Sequence, residues 1–204
     1  MILLNIILSD VLPMYKICLN DKSLARQREL ENGFLEYLNE ESIFKLEISD
    51  LCRYLEIPRK TFYRYFGSRE DALFALIDHR LEDMVQYLLT FQQADVKDPK
   101  QLSYHFFTFW RGQQRFLDIL NENLLLSILT TRAVLRAGKP SDSEQMSYDI
   151  SEMNTPESYM TNFATSGMMS MMLQWYHSGF QMDIDQLSQI GATMLTQPIF
   201  KANT

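Results

Sequence analysis

A chain of 204 residues with 46% hydrophobic and 22% charged content can bury a substantial core without disulfides. Only seven Gly and six Pro, set among Leu, Met, Gln and Glu throughout, favour helices over strands and turns and predict an all-α fold. The two cysteines, Cys18 and Cys52, lack metal-ligand spacing and form no disulfide framework, which excludes a small secreted scaffold and fits a reducing cytoplasm.

The apolar stretch Ile2 to Leu8 falls well short of the roughly 20 residues that span a bilayer. It also lacks the basic start and Ala-x-Ala-like end of a secretory signal, so residues 1–21 read as an N-terminal extension, with Met14 as an alternative start. From Lys22 to Glu40, Leu30, Phe34 and Leu38 recur every four residues and predict a first helix. A second, near Glu47 to Leu55, places Ile48, Leu51, Cys52 and Leu55 on one stripe and leaves Ser49, Asp50 and Arg53 for solvent or phosphate. Cys52 on that stripe reads as a small buried thiol.

After the break at Glu56-Ile57-Pro58, Pro58 fits the first turn of a short third helix through Tyr65, because its fixed φ suits that turn and no N–H is needed there. Phe62 and Phe66, four apart, can point inward while Arg59, Lys60, Tyr63 and Arg64 take the other side. Ser68 then caps a fourth helix, with Asp71 three residues on. Arg69 in the first turn of that helix opposes its dipole, which suggests an external anion such as phosphate.

The net charge of −7 argues against a nucleic-acid partner only until its distribution is read. Arg53, Arg59, Lys60, Arg64 and Arg69 face a single acid, Glu56, so one small basic face sits on an acidic body.

The fourth helix continues to about Gln93 with Leu73, Leu76, Ile77, Leu81, Met84 and Leu88 as an apolar stripe, and Ala94 to Pro99 ends it. A further helix begins near Lys100, carrying the aromatic block Tyr104, Phe106, Phe107, Phe109, Trp110 and Phe116 before the apolar run Leu124 to Leu129, much of it expected to be buried. Gly138 to Asn154 is polar and reads as a mobile loop. Thr155-Pro156-Glu157 starts a helix running to about His177, and a last helix runs through Leu195. His79, His105 and His177 have no partners at ligand spacing, and no phosphate loop, nucleophile elbow or HExxH motif occurs, so neither a metal, a cofactor nor an enzyme is expected.

The stretch from Leu51 to Glu70, with its Thr61-Phe62-Tyr63-Arg64-Tyr65-Phe66 core, resembles the TetR (tetracycline-repressor-type) family of bacterial transcriptional regulators. The run Gln174 to Phe180 is more weakly similar to the C-terminal ends of such proteins. The resemblance implies a helix-turn-helix DNA-binding domain at 22–68 and, over 69–204, a connecting helix plus a helical domain that dimerises and binds an effector. Glu56 stands where the family usually has Gly, Pro58 where it has a hydroxyl cap, and Lys60 where it has a small residue.

By that resemblance Tyr63, Arg64 and Arg69 grip phosphates, while Arg59, Lys60 and Thr61 meet base edges, with Ser49 also at the DNA face. Candidate ligand-pocket residues are Tyr104, His105, Phe107, Trp110, Met168 and Met172; the candidate dimer seam is Ala164, Gly167, Met171 and Trp175. The expected function is a cytoplasmic homodimer on double-stranded DNA, a repressor released from a pseudo-palindromic operator by an unidentified small molecule. Six phosphate contacts per dimer would give a salt slope of about −5. The alternative is a helix-turn-helix adaptor or coregulator acting through a protein partner.

Overall fold

The computed structural model describes residues 15–92, 98–137 and 155–197. Among these the fold is all-α: α1 (Asp21–Glu40), α2 (Ile48–Tyr54), α3 (Arg59–Tyr65), α4 (Arg69–Gln92), α5 (Pro99–Arg111), α6 (Gln114–Glu122), α7 (Leu126–Ala137), α8 (Pro156–His177) and α9 (Ile184–Thr196). The segments read as an N-terminal accessory stretch (Met1 to Leu12) and as a loop (Gly138 to Asn154) lie outside the described residues.

Several helix starts have a local cause. Asn20 Oδ1 accepts the Ser23 N–H at 2.9 Å to cap α1, and Asp98 Oδ1 does the same for Lys100 at 2.9 Å. Pro99, taken from the sequence as part of the break, therefore opens α5, where a missing N–H costs nothing. Thr155 and Ser158 form a reciprocal capping box at α8.

Three helices end in a Schellman arrangement, the residue after the cap taking left-handed backbone. At α2 this is Glu56 (φ 51°), at α6 Leu124 (φ 59°) and at α8 Gly179 (φ 69°). Leu124 is consequently turned outward, 66% exposed, against the expectation that the run Leu124 to Leu129 is buried. Leu125, Leu126, Ile128 and Leu129 do enter the core.

The first half of α4 departs from the stripe that its period suggests. Every residue from Asp71 to Asp78 is buried, because α1 covers one side and α7 another. From His79 onward the helix opens, with Leu81 still buried, Met84 and Leu88 half-buried, and Val85 and Leu89 exposed. A charge in such surroundings needs a partner. Asp78, fully buried, accepts from Arg132 Nε of α7 at 2.6 Å, pairs with its Nη2, and accepts the Tyr15 hydroxyl at 2.6 Å. The Arg132 guanidinium also lies 4.5 Å from the centre of the Phe74 ring.

Tyr15 thus belongs to the body of the protein, and the Lys16 N–H donates to the Tyr65 carbonyl at 2.8 Å. Asn123 makes a second buried tie: its Oδ1 accepts the Ile43 N–H at 2.9 Å, and its Nδ2 donates to the Leu38 carbonyl at 3.2 Å. Asn123 therefore ties the end of α1 and the loop leading into α2 to α6, and Lys16 ties the N-terminal segment to the end of α3.

Candidate nucleic-acid interface

α3 has one buried side and one open side. Phe62 and Phe66 are each 1% exposed, their ring centres 5.3 Å apart, and Tyr65 is also buried. That placement matches the inward pair expected from their spacing. It leaves Arg59, Lys60, Tyr63 and Arg64 exposed, with Thr61 half-buried beside them. Pro58 caps α3 with φ −63° and ψ 143° rather than sitting in its first turn, and its carbonyl accepts the Thr61 N–H at 2.8 Å. The helix spans Arg59–Tyr65, the range read from the sequence, and Pro58 stands just before it because that ψ is extended.

The turn before α3 is set by two bonds: the Glu56 N–H donates to the Arg53 carbonyl at 3.2 Å and the Ile57 N–H to the Cys52 carbonyl at 3.0 Å. These require positive φ at Glu56, where glycine is the unstrained choice. α1 and α2 approach closely at Gly33, where an added Cβ would stand 2.3 Å from Leu55 Cδ2. Cys52 is buried; desolvation pushes its thiol above the ordinary range, with Arg59 pulling weakly the other way.

The cations near this face differ in how far they are already engaged. Among the described residues Arg59, Lys60 and Arg64 have no ion pair, whereas Arg53 pairs with Asp50 at 2.9 Å. Arg69 is tied inward: Nη1 donates to the Leu46 carbonyl at 2.8 Å and Nε to Glu70 at 2.9 Å. The cation at the start of α4 therefore has partners within the chain and needs no external anion to explain it. Ser68 Oγ accepts the Asp71 N–H at 3.0 Å and donates to the Asp71 carboxylate at 2.8 Å, the capping pair read from the sequence. Ser49 lies half-buried in the first turn of α2.

The candidate ligand-pocket residues separate into two groups. Phe107, Trp110 and Met172 are fully buried and Met168 is 8% exposed, all in one continuous core. Tyr104 and His105 are half-buried in an aromatic cluster, where the His105 ring stacks on Phe91 with centres 3.7 Å apart. Of the candidate seam, Gly167 is exposed with open space beside it, and Ala164 and Met171 are half-buried.

Trp175, the fourth residue of the candidate seam, packs within its own chain. It is 2% exposed, donates Nε1–H to the Met182 carbonyl at 2.9 Å, and packs on Phe107 and Phe180 within its own chain. Among the described residues no group of three His, Cys, Asp or Glu side chains could hold a metal, and no helix is long and apolar enough to cross a membrane.

An all-helical fold carrying a helix-turn-helix with a basic outer side defines the class of protein. The fold resembles that of a TetR-type regulator. A solved structure described as a TetR transcriptional regulator from Streptococcus agalactiae 2603V superposes with a TM-score of 0.54, covering 87% of this chain and 97% of that one at 16% sequence identity. No family model and no curated protein matches the chain.

Proposed function

We propose that the protein is a homodimeric, double-stranded-DNA-binding transcriptional regulator of the TetR type, working in the cytoplasm. The observation that carries this reading is the open side of α3, where Arg59, Lys60, Tyr63 and Arg64 face solvent while Phe62 and Phe66 anchor the helix. Arg59 and Lys60 can donate to guanine O6 and N7, and the Thr61 methyl can meet a thymine methyl. Tyr63 and Arg64 supply donors to the phosphate backbone. Residues 22–68 form the DNA-binding unit in this reading, and 69–204 the connecting helix and regulatory part.

Two α3 helices in successive major grooves would read a pseudo-palindrome, the dimer setting the half-site spacing. Exposed Met160 and Phe163 on α8, close to Gly167 in sequence, and Ile190 and Met194 on α9 supply apolar surface for the second copy. Binding of a small-molecule effector near the half-buried Tyr104 and His105 would release the operator, making the protein a repressor.

Selection of bound sequences from random DNA, followed by titration at several salt concentrations, tests the reading. With Arg69 tied inward, Arg64 and one of Arg59 or Lys60 from each subunit make four phosphate contacts and a slope of about −4. An enriched palindromic site with that slope is the expected result. Failure to bind any DNA at low salt would instead favour an adaptor working through a protein partner.

A further inference from the structure

A cavity of about 100 Å³ lies between α1 and α4, lined by Arg28, Glu31, Asn32, Leu76, His79, Arg80 and Asp83. Most of the charge in its wall is already paired. Arg28 Nη1 donates to both Asp83 oxygens at 2.9 and 2.8 Å, and His79 Nδ1 lies 2.8 to 2.9 Å from both Glu31 oxygens. Among the described residues Arg80 has no carboxylate within ion-pair distance. Its guanidinium lies 5.3 Å from the centre of the Phe116 ring, its Nε is buried with no acceptor, and burial pulls its pKa below the ordinary arginine value. One turn before Glu31, fully buried Gln27 likewise leaves both amide atoms without partners, so the α1–α4 seam holds unmet hydrogen-bonding capacity.

A guanidinium in this position gains most from an oxyanion that accepts its Nε–H and shares its charge. The size of the cavity matches about three waters, or one anion of about four heavy atoms. Glu31 and Asp83 in the same wall oppose a doubly charged ion more strongly than a singly charged one. We infer that this cavity is a binding site for a small monocarboxylate, held by Arg80 with Asn32 beside it at the wall. An occupant touching both helices stabilises one spacing of α1 against α4. If the proposed DNA-binding function holds, on which this last step rests, occupancy changes operator affinity.

Isothermal titration of the full chain with sodium acetate, against sodium chloride at matched ionic strength, tests the site without DNA. Saturable acetate binding that weakens by about tenfold or more in Arg80→Gln supports it. Equal affinity in the two proteins, no acetate binding at all, or tighter binding of phosphate than of acetate overturns the assignment. A crystal of the unaltered protein soaked in sodium acetate answers the case in which Arg80→Gln fails to fold: acetate density in this cavity with its carboxylate against the Arg80 guanidinium supports the site, and acetate elsewhere or none overturns it. Operator affinity measured with and without acetate then separates the two claims. A change of about fivefold or more supports the coupling, and unchanged affinity with acetate bound overturns it. Acetate binding in a protein that binds no DNA leaves the site standing and removes the proposed function.

Discussion

Glu56 offers a measurable consequence of a single backbone angle. Its φ of 51° is fixed by the bonds from Glu56 to Arg53 and from Ile57 to Cys52, which close α2 and aim α3. An L-residue in left-handed backbone costs about 1–2 kcal/mol, whereas glycine there gives back about 0.5–1 kcal/mol through the greater freedom of its unfolded chain. Glu56→Gly should therefore be more stable than Glu56→Ala by about 1 kcal/mol. Both variants lose the same carboxylate, so the comparison cancels the change in charge beside the basic face. Urea unfolding reads the difference as a higher midpoint at unchanged slope, and in a chain of this length it amounts to about 2–4 °C in Tm. Equal midpoints for the two variants would refute the reasoning. Leu124→Gly repeats the test at the end of α6, where the Leu125 N–H donates to the Leu120 carbonyl at 2.7 Å and φ is 59°.

Removing one partner of the buried ion pair, in Asp78→Asn or Arg132→Met, should cost about 3–5 kcal/mol by chemical denaturation, and Tyr15→Phe about 1–2 kcal/mol. Gly191→Ala places a Cβ 2.9 Å from Ser103 Oγ and 3.2 Å from its Cβ, so either that hydroxyl gives up its bond to the Pro99 carbonyl or α9 shifts against α5, at a cost of about 1–3 kcal/mol read by the same method. Burial raises the pKa of Glu31 in the fold, the His79 contact only partly opposing it. The native state therefore holds that proton more tightly than the unfolded chain. This contribution falls as pH rises from the ordinary carboxylate range through the raised value, and Glu31→Gln should flatten that part of the stability profile. For DNA, Tyr63→Ala should weaken binding to all sequences alike, while Lys60→Ala should also relax base preference in a selection; equal losses on every sequence would contradict the division of roles.

The three-helix start of the fold was legible because its signals are local. Phe62 and Phe66 sit inside and Arg59, Lys60 and Arg64 outside, as a spacing of four on a short helix requires. The Ser68–Asp71 cap and the awkward Glu56 turn were also readable, since each depends on a few neighbouring residues. The inward bond of Arg69 was not readable, for the complementary reason. Its acceptor, the Leu46 carbonyl, lies 23 residues away and carries no sequence signal, so an inward tie looked like a free cation. The burial of Trp175 was hidden in the same way: methionine and aromatic surface suits a seam or a core equally, and the contacts with Phe107, Phe180 and Met182 that bury this ring are set by tertiary packing.

Asp78 shows what a period can and cannot reveal. An acid that closes the buried run from Ala72 to Asp78 breaks the apolar pattern without breaking the helix, and that alone implies a cation delivered from another element, because an unpaired buried carboxylate is too costly to keep charged. The partner could not be named from the sequence. Arg132 lies 54 positions later on a helix whose other buried residues are apolar, and Tyr15 comes from the stretch read as an extension. The same helix turns Asp78 toward α7 and the next residue, His79, toward Glu31 of α1. One turn of α4 therefore joins the helix that leads into the α2–α3 unit to a helix more than 50 residues downstream. Any signal between them would have to pass through these polar contacts, or around them through the apolar packing on either side.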